Sequence, residues 1–337
     1  MGVAYHPIRQ LAAAAPTGLP VVRSMVRRTL GHAFGPPGFD PSSGAGDPGL
    51  FGPGSASWRM IAEPAAIVGG VRALVVQLLH PLAMAGVADH SSFREDPLGR
   101  LRRTSSYVTT TAFGSTDEAL AAARLIRRVH RRVNGTAPDG RPYSADDPRL
   151  LVWVSVALTS SFLATDAAYA PRPLARADAD AFVDEQARGA ALLDPRVDLE
   201  AVAADPAARM ALVDGTLPLP LRDEGSLPTS VAELDRTLSG FQPELEVNAQ
   251  GREAFAFLRW PPIGALRAGY VPLLAAALAT LEPEQRALLG LPNSRLAIRT
   301  VQAQSRMLLG ALRLSTGTSP AARAAERRAG AGEDVAA

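Results

Sequence analysis

Residues 125–136 read LIRRVHRRVNGT, which sets His130 between two pairs of arginines in a chain that holds five histidines. On a helix over 116–134 the apolar positions are Leu120, Ala123, Ile126, Val129 and Val133. His130 stands four residues after Ile126 and three before Val133, so it projects from the buried side of that stripe. Three roles fit the placement. The commonest is a hydrogen-bonded core histidine, with the arginines as a solvated face, and a basic surface stripe is the second. The third is a metal ligand. A neutral imidazole in an apolar wall offers its lone pair to a haem iron, and Arg127, Arg128, Arg131 and Arg132 at the rim can pair with the propionates.

The preceding segment, DPLGRLRRTSSYVTTTAFG, adds a polar stripe. Arg100 and Thr104 are four apart, as are Arg103 and Tyr107, and Thr111 continues the row; Leu101, Val108 and Ala112 fall on the opposite side. The stripe either faces water or faces the same interior as His130. In the second case it supplies a cation and hydroxyl donors to dioxygen, whose negative charge grows as it is activated.

The other chemistry-bearing residues converge less. His80 precedes Pro81 at a helix boundary and His90 follows ten residues later, a spacing that matches no zinc signature. A non-haem iron site from these two with Asp89, Asp96 or Glu63 is the remaining metal alternative. HExxH, HxH and GxSxG do not occur, and no GxGxxG stands between a strand and a helix as a dinucleotide fold requires; the GAGDPG of 44–49 falls in a Gly/Pro-rich loop.

Composition excludes whole classes. The 337 residues contain no cysteine and no lysine, so all 35 basic residues are arginine. This removes disulfides, thiolate nucleophiles, Cys-ligated zinc, Fe–S clusters held by protein thiolates, lysine Schiff bases and a P-loop lysine. A net charge of +2 over this length is far from the basic balance of a nucleic-acid binder. The N-terminal stretch MGVAYHPIRQLAAAAPTGLP lacks the pattern of a secretion signal, so a cytoplasmic location is expected. The most apolar runs, AAIVGGVRALVVQLL and LLVWVSVALTSSFLA, extend about 15 residues, short of the ~20 that span a bilayer, and read as core helices.

The elements that must position these residues are helical. No run shows the period-two alternation of a sheet, and the fold is expected to be all-α, one large helical domain. A short helix at about 20–32 and a Gly/Pro-rich loop at 34–57 precede the body; 1–45 is treated as the leading segment, 46–315 as the helical domain and 316–337 as a flexible tail. Asp96 with Pro97 marks a helix start and Gly114 its end. Ser115 and Glu118 form a capping box, with Gly135 as the stop. Ser144 opens the next helix, with Asp147 and Pro148 in its first turn. The stretch 195–228 is a Pro- and Asp-rich excursion, and the later helices carry no titratable cluster and read as scaffold and pocket wall.

The ordered motifs LLHPLAMAGVADHSSFREDPLGRLRRTSSYVTTTAFG, VHRRVNGTAPDGRPYSADDPRLLVWV and FLRWPP resemble the bacterial family shared by MpaB-type oxygenases and latex-clearing proteins (rubber oxygenases). The resemblance covers roughly 46–315 and is sharpest over 72–155. It implies a globin-like helical protein that binds haem b and uses dioxygen to oxygenate or cleave an apolar, often isoprenoid-type substrate. By position, His130 matches the proximal ligand, and Arg100 and Thr104 match the distal arginine and threonine. Two departures stand out. The residue before that threonine is a lysine in latex-clearing proteins, where it can cap the iron. Arg103 stands there in this chain, stays protonated and has no lone pair to give. Many MpaB-type relatives carry a histidine after WV, where this chain has Ser155. The resulting expectation is a haem b-dependent oxygenase, with Arg100, Arg103 and Thr104 in catalysis and His130, Arg127, Arg131 and Tyr107 around the cofactor. Dioxygen and an apolar small molecule are the partners, with no nucleic acid and no membrane span. A non-catalytic haem sensor and a helical regulator with a basic patch are the readings from other classes.

Overall fold

A computed structural model describes residues 38–317 and 319–330. The helix expected at 20–32 lies outside the described residues. The fold is all-α with one small hairpin. The first half holds α1 (Ala56–Ala62), α2 (Ala65–Gln77), α3 (Pro81–His90), α4 (Pro97–Phe113) and α5 (Thr116–His130). The hairpin β1 (Asn134–Thr136) and β2 (Pro142–Ser144) then leads to α6 (Pro148–Tyr169) and α7 (Arg176–Ala191). The excursion folds into short helices α8 (Leu199–Ala204), α9 (Pro206–Asp214) and α10 (Pro220–Asp223). The later half is α11 (Val231–Phe241), α12 (Ala249–Arg259), α13 (Arg267–Leu278), α14 (Pro283–Leu288), α15 (Arg295–Thr316) and α16 (Pro320–Gly330).

At the centre α2 packs along α6 and against α13. Both central helices are apolar nearly all round because both are enclosed. Val68, Val75, Val76, Trp153 and Val156 are buried in their shared core. Gly69 permits the close approach. A Cβ there would lie 2.5 Å from Phe162 Cδ1 and 3.2 Å from Phe162 Cα, with no room to yield. Gly69→Ala is therefore expected to destabilise the fold by roughly 1–3 kcal/mol, read as a lower denaturant midpoint at unchanged m. Arg72, also on α2, is 2% exposed and is satisfied by Ser161 Oγ (2.9 Å), Gln285 Oε1 (3.1 Å) and the Thr280 carbonyl (3.3 Å). Burial lowers its pKa to about 10, against the opposing pull of Glu282.

Helix α6 runs 22 residues, longer than the apolar run suggested, and is long and apolar enough to cross a bilayer. Most of its apolar stretch is buried inside the fold, where α2, α7, α11 and α15 cover it.

Several boundaries match the sequence signals and several do not. Asp96 caps α4 through the Gly99 amide, and the Ser115–Glu118 capping box opens α5. Gly135 is not the stop of α5, which ends at His130 because the chain turns at 131–133 into β1. Ser144 ends β2, and Asp147 is the cap of α6, accepting from the Arg149 and Leu150 amides. Within the segment expected to be a flexible tail, Pro320–Gly330 forms α16. Ala322 and Ala325 join Phe39, Trp58 and Phe113 in a second core, and Arg328, 3% exposed, donates to the carbonyls of Phe113, Gly114 and Asp47.

Candidate active site around His130 and Arg100

His130 is the last residue of α5, and its ring position follows from the hairpin behind it. The Val133 amide donates to the His130 carbonyl and the Ala145 amide to the Val133 carbonyl, both at 2.8 Å. These bonds continue the Asn134↔Ser144 register toward the helix and bring Asp146 beside His130. The ring is half-buried. Its Nδ1 is enclosed and makes no hydrogen bond, and the Oδ1 of Asp146 is enclosed and unpartnered as well. Nε2 is not enclosed in this way. Desolvation holds the imidazole below the ordinary histidine pKa, with the Asp146 charge opposing. The ring is thus neutral at pH 7 and keeps a lone pair.

Arg100 enters the same neighbourhood from α4, through the end of α3. His90 Nε2 lies 3.1 Å from the Asn134 carbonyl, and the next residue, Ser91, takes Arg100 Nη1 on its Oγ at 2.5 Å. Asp89 fixes this corner by accepting from the Tyr143 hydroxyl at 2.6 Å. Among the described residues no carboxylate partners Arg100. Burial, with repulsion from Arg103 added, lowers its pKa to about 10, so it remains a cation that has lost most of its hydration.

The remaining predicted residues divide. Thr104 lies one turn after Arg100 and is exposed. Arg103 is exposed and turns back to Asp96 and Ser92, at 3.4 Å each. Tyr107 donates to the Gly189 carbonyl at 2.8 Å, tying α4 to α7, and burial pushes its pKa well up. Arg127 gives both terminal nitrogens to the Val197 and Pro195 carbonyls, at 2.6 and 2.7 Å. Arg131 lies beside it, facing the 195–200 segment. Of the apolar stripe on α5, Leu120 and Ala123 are fully buried, Ile126 and Val133 half-buried, and Val129 is 50% exposed.

The alternative metal site does not form. No group of three His, Asp or Glu converges among the described residues. His80 is 1% exposed, packs on Trp153 and Phe241 and points Nε2 at Glu244 (3.4 Å), while His90 engages a carbonyl. Asp146 and Ser91 are the residues that pattern reading missed, and His90, read as a possible iron ligand, instead engages the Asn134 carbonyl. A clue to Asp146 lay in SADDP: Asp147 is the helix cap, which leaves its neighbour without that task.

The chain has relatives in mycobacteria. It is 28% identical over 256 residues to the uncharacterized protein Rv2237 of Mycobacterium tuberculosis, covering 72% of this chain and 85% of that protein. The uncharacterized protein Mb2261 of Mycobacterium bovis gives the same figures. No solved structure gives a significant match. Residues 58–314, which include every residue of the site, match the catalytic domain described as ER-bound oxygenase mpaB/B'/rubber oxygenase, and the chain belongs to that oxygenase family.

Proposed function

We propose that this protein is a haem b-dependent oxygenase that uses dioxygen to oxygenate or cleave an apolar substrate, with His130 as the iron ligand. The observation that carries the reading is the state of His130. It is a desolvated, neutral imidazole with one ring nitrogen enclosed beside a carboxylate and the other free of any hydrogen bond. A single histidine ligand of haem needs that arrangement: a lone pair on Nε2 and a fixed tautomer at Nδ1. Haem b, when bound, supplies an iron centre at which dioxygen can bind.

The chain's own groups supply the rest. The negative charge of Asp146 beside His130 favours the proton on Nδ1, which leaves the lone pair on Nε2, although the two groups are not hydrogen-bonded. Arg100 brings an uncompensated positive charge held by Ser91, ready for negative charge developing nearby. Thr104 offers a hydroxyl one turn further along the same face. Arg103, unlike a lysine, has no lone pair with which it could cap a metal.

The two reaction classes differ in electron balance. Cleaving a C=C bond with one dioxygen gives two carbonyl groups and needs no external donor, whereas inserting one oxygen atom and releasing water needs two electrons. The test is incubation of haem-reconstituted protein with ¹⁸O₂ and a panel of apolar alkenes and polyprenyl compounds, with and without a reductant. Label in carbonyl or hydroxyl products supports the reading. A protein that binds haem and transfers no label to any of them is a sensor.

Asp146→Asn probes the tautomer independently of turnover. In the haem-free protein the ¹⁵N imidazole signals of His130 are expected to move toward the Nε2–H tautomer. In ferrous haem-loaded protein the iron–histidine stretch is expected to fall. Unchanged signals in both forms would remove Asp146 from the site while leaving His130 in place.

A further inference from the structure

A second feature of α5 is unrelated to His130. Arg124, Arg127, Arg128 and Arg131 follow one another at i, i+3, i+4 and i+7, so they share one face of the helix. His130 falls on the other flank, with Ala119, Ala123 and Ile126. The arginine face forms one wall of a cleft of about 430 Å³, and the opposite wall is the 195–200 segment, with Pro195 and Arg196 exposed and the Val197 and Leu199 side chains turned into the main core.

The charges in this cleft are not balanced within it. Arg124 is held by Glu200 at 2.7 Å and the Leu199 carbonyl at 3.1 Å. Arg127 is held by two carbonyls, and Arg196 by Asp194 and Glu224. Asp198, the other carboxylate on the wall, is spent capping the Glu200 and Ala201 amides. Among the described residues the guanidiniums of Arg128 and Arg131 have no hydrogen-bond or ion-pair partner. Like charges at these spacings repel by a few tenths of a kcal/mol per pair. The negative end of the helix dipole favours cations at a C-terminus, but it does not account for a concave, two-walled arrangement around two free guanidiniums.

We propose that this cleft is a binding site for the phosphate or diphosphate group of a small organic molecule. Two free guanidiniums three residues apart can each offer paired N–H donors to one phosphoryl group, and a dianion satisfies both where a carboxylate satisfies one. The three pinned arginines raise the local potential without spending donors on the ligand. The volume lies within the range of roughly 300–1,000 Å³ usual for small-molecule sites and exceeds what a bare phosphate fills. This assignment stands whether or not haem binds at His130.

The test is calorimetric titration of the full chain at low salt with inorganic pyrophosphate, alongside flotation with phosphatidic-acid and phosphatidylcholine vesicles. Both are repeated on Arg128→Gln/Arg131→Gln and on a control of equal charge change, Arg295→Gln/Arg299→Gln, on the exposed side of α15. Saturable pyrophosphate binding is expected, weakened about 10- to 100-fold in the first double variant and unchanged in the control. If phosphatidic-acid vesicles are also bound and lost in the same variant, a lipid headgroup is the natural source of the phosphate; if they are ignored, the source is a soluble molecule. Three results would overturn the proposal. These are no pyrophosphate binding, equal weakening in the control, and displacement of pyrophosphate by stoichiometric haem, which would make the cleft the seat of the propionates. Thermal melts of both double variants confirm that each is folded.

Discussion

His130→Ala abolishes the Soret band of the haem-reconstituted protein, or moves it to the position of loosely held haem, and oxygen transfer falls to background. The effect is large because one side chain supplies the only iron bond the reading assigns to the protein. The usual objection to such a variant is that it unfolds. The structure limits that risk: the ring is half-buried, its Nδ1 has no hydrogen bond to lose, and its neutral form carries no buried charge. The expected change in stability is within about 1 kcal/mol. A thermal melt of the apo variant beside the parent checks it, and free imidazole is expected to restore part of the Soret intensity.

Arg100→Met is expected to leave haem affinity within a few-fold of the parent while lowering turnover about 10²- to 10³-fold, the range seen when one pre-organised charge donor is removed from a site of developing negative charge. The separation of binding from turnover marks Arg100 as a group acting on the reacting atoms. Stability should not suffer. Arg100 is a largely desolvated cation with no carboxylate partner among the described residues, and its removal relieves the desolvation cost and leaves only Ser91 without a partner. Single-turnover traces beside a denaturant melt measure both. A variant that loses haem and turnover together would assign Arg100 a structural role.

The contrast between Arg100 and its neighbours shows how far the sequence could be read. Periodicity placed Arg100, Arg103, Thr104 and Tyr107 on one stripe, and that is correct as helix geometry. Their separate fates depend on what faces each of them. Asp96 and Ser92 draw Arg103 outward, a carbonyl on α7 takes the Tyr107 hydroxyl, and Arg100 alone bonds Ser91, the residue that ends α3. Such partners are 7 to 82 residues away in sequence, and no local pattern encodes them. Arg127 makes the same point. Its position in RLIRRVHRR suggested a rim around His130, yet the 195–197 carbonyls claim its donors.

The helical class was legible because caps and apolar stripes are local signals, as at Asp96 and in the Ser115–Glu118 box. The hairpin after His130 was not. Three-residue strands carry no period, and Gly135 reads equally well as a helix stop or as part of a turn into a strand. That hairpin matters most for the site, because its register delivers Asp146 to His130. Helix α16 was masked by composition: Ala-rich, Arg-rich sequence resembles a solvated tail until Arg328 is seen to close three carbonyls between α4, α5 and the first described loop.

The most direct test of the central claim is an absorption titration of the purified chain with haemin. A Soret band that saturates at one haem per chain is expected and, after reduction, a spectrum typical of histidine-ligated ferrous haem b. A titration that yields only the spectrum of free haemin, at any ratio, would contradict it and return His130 to an ordinary place at the end of its helix.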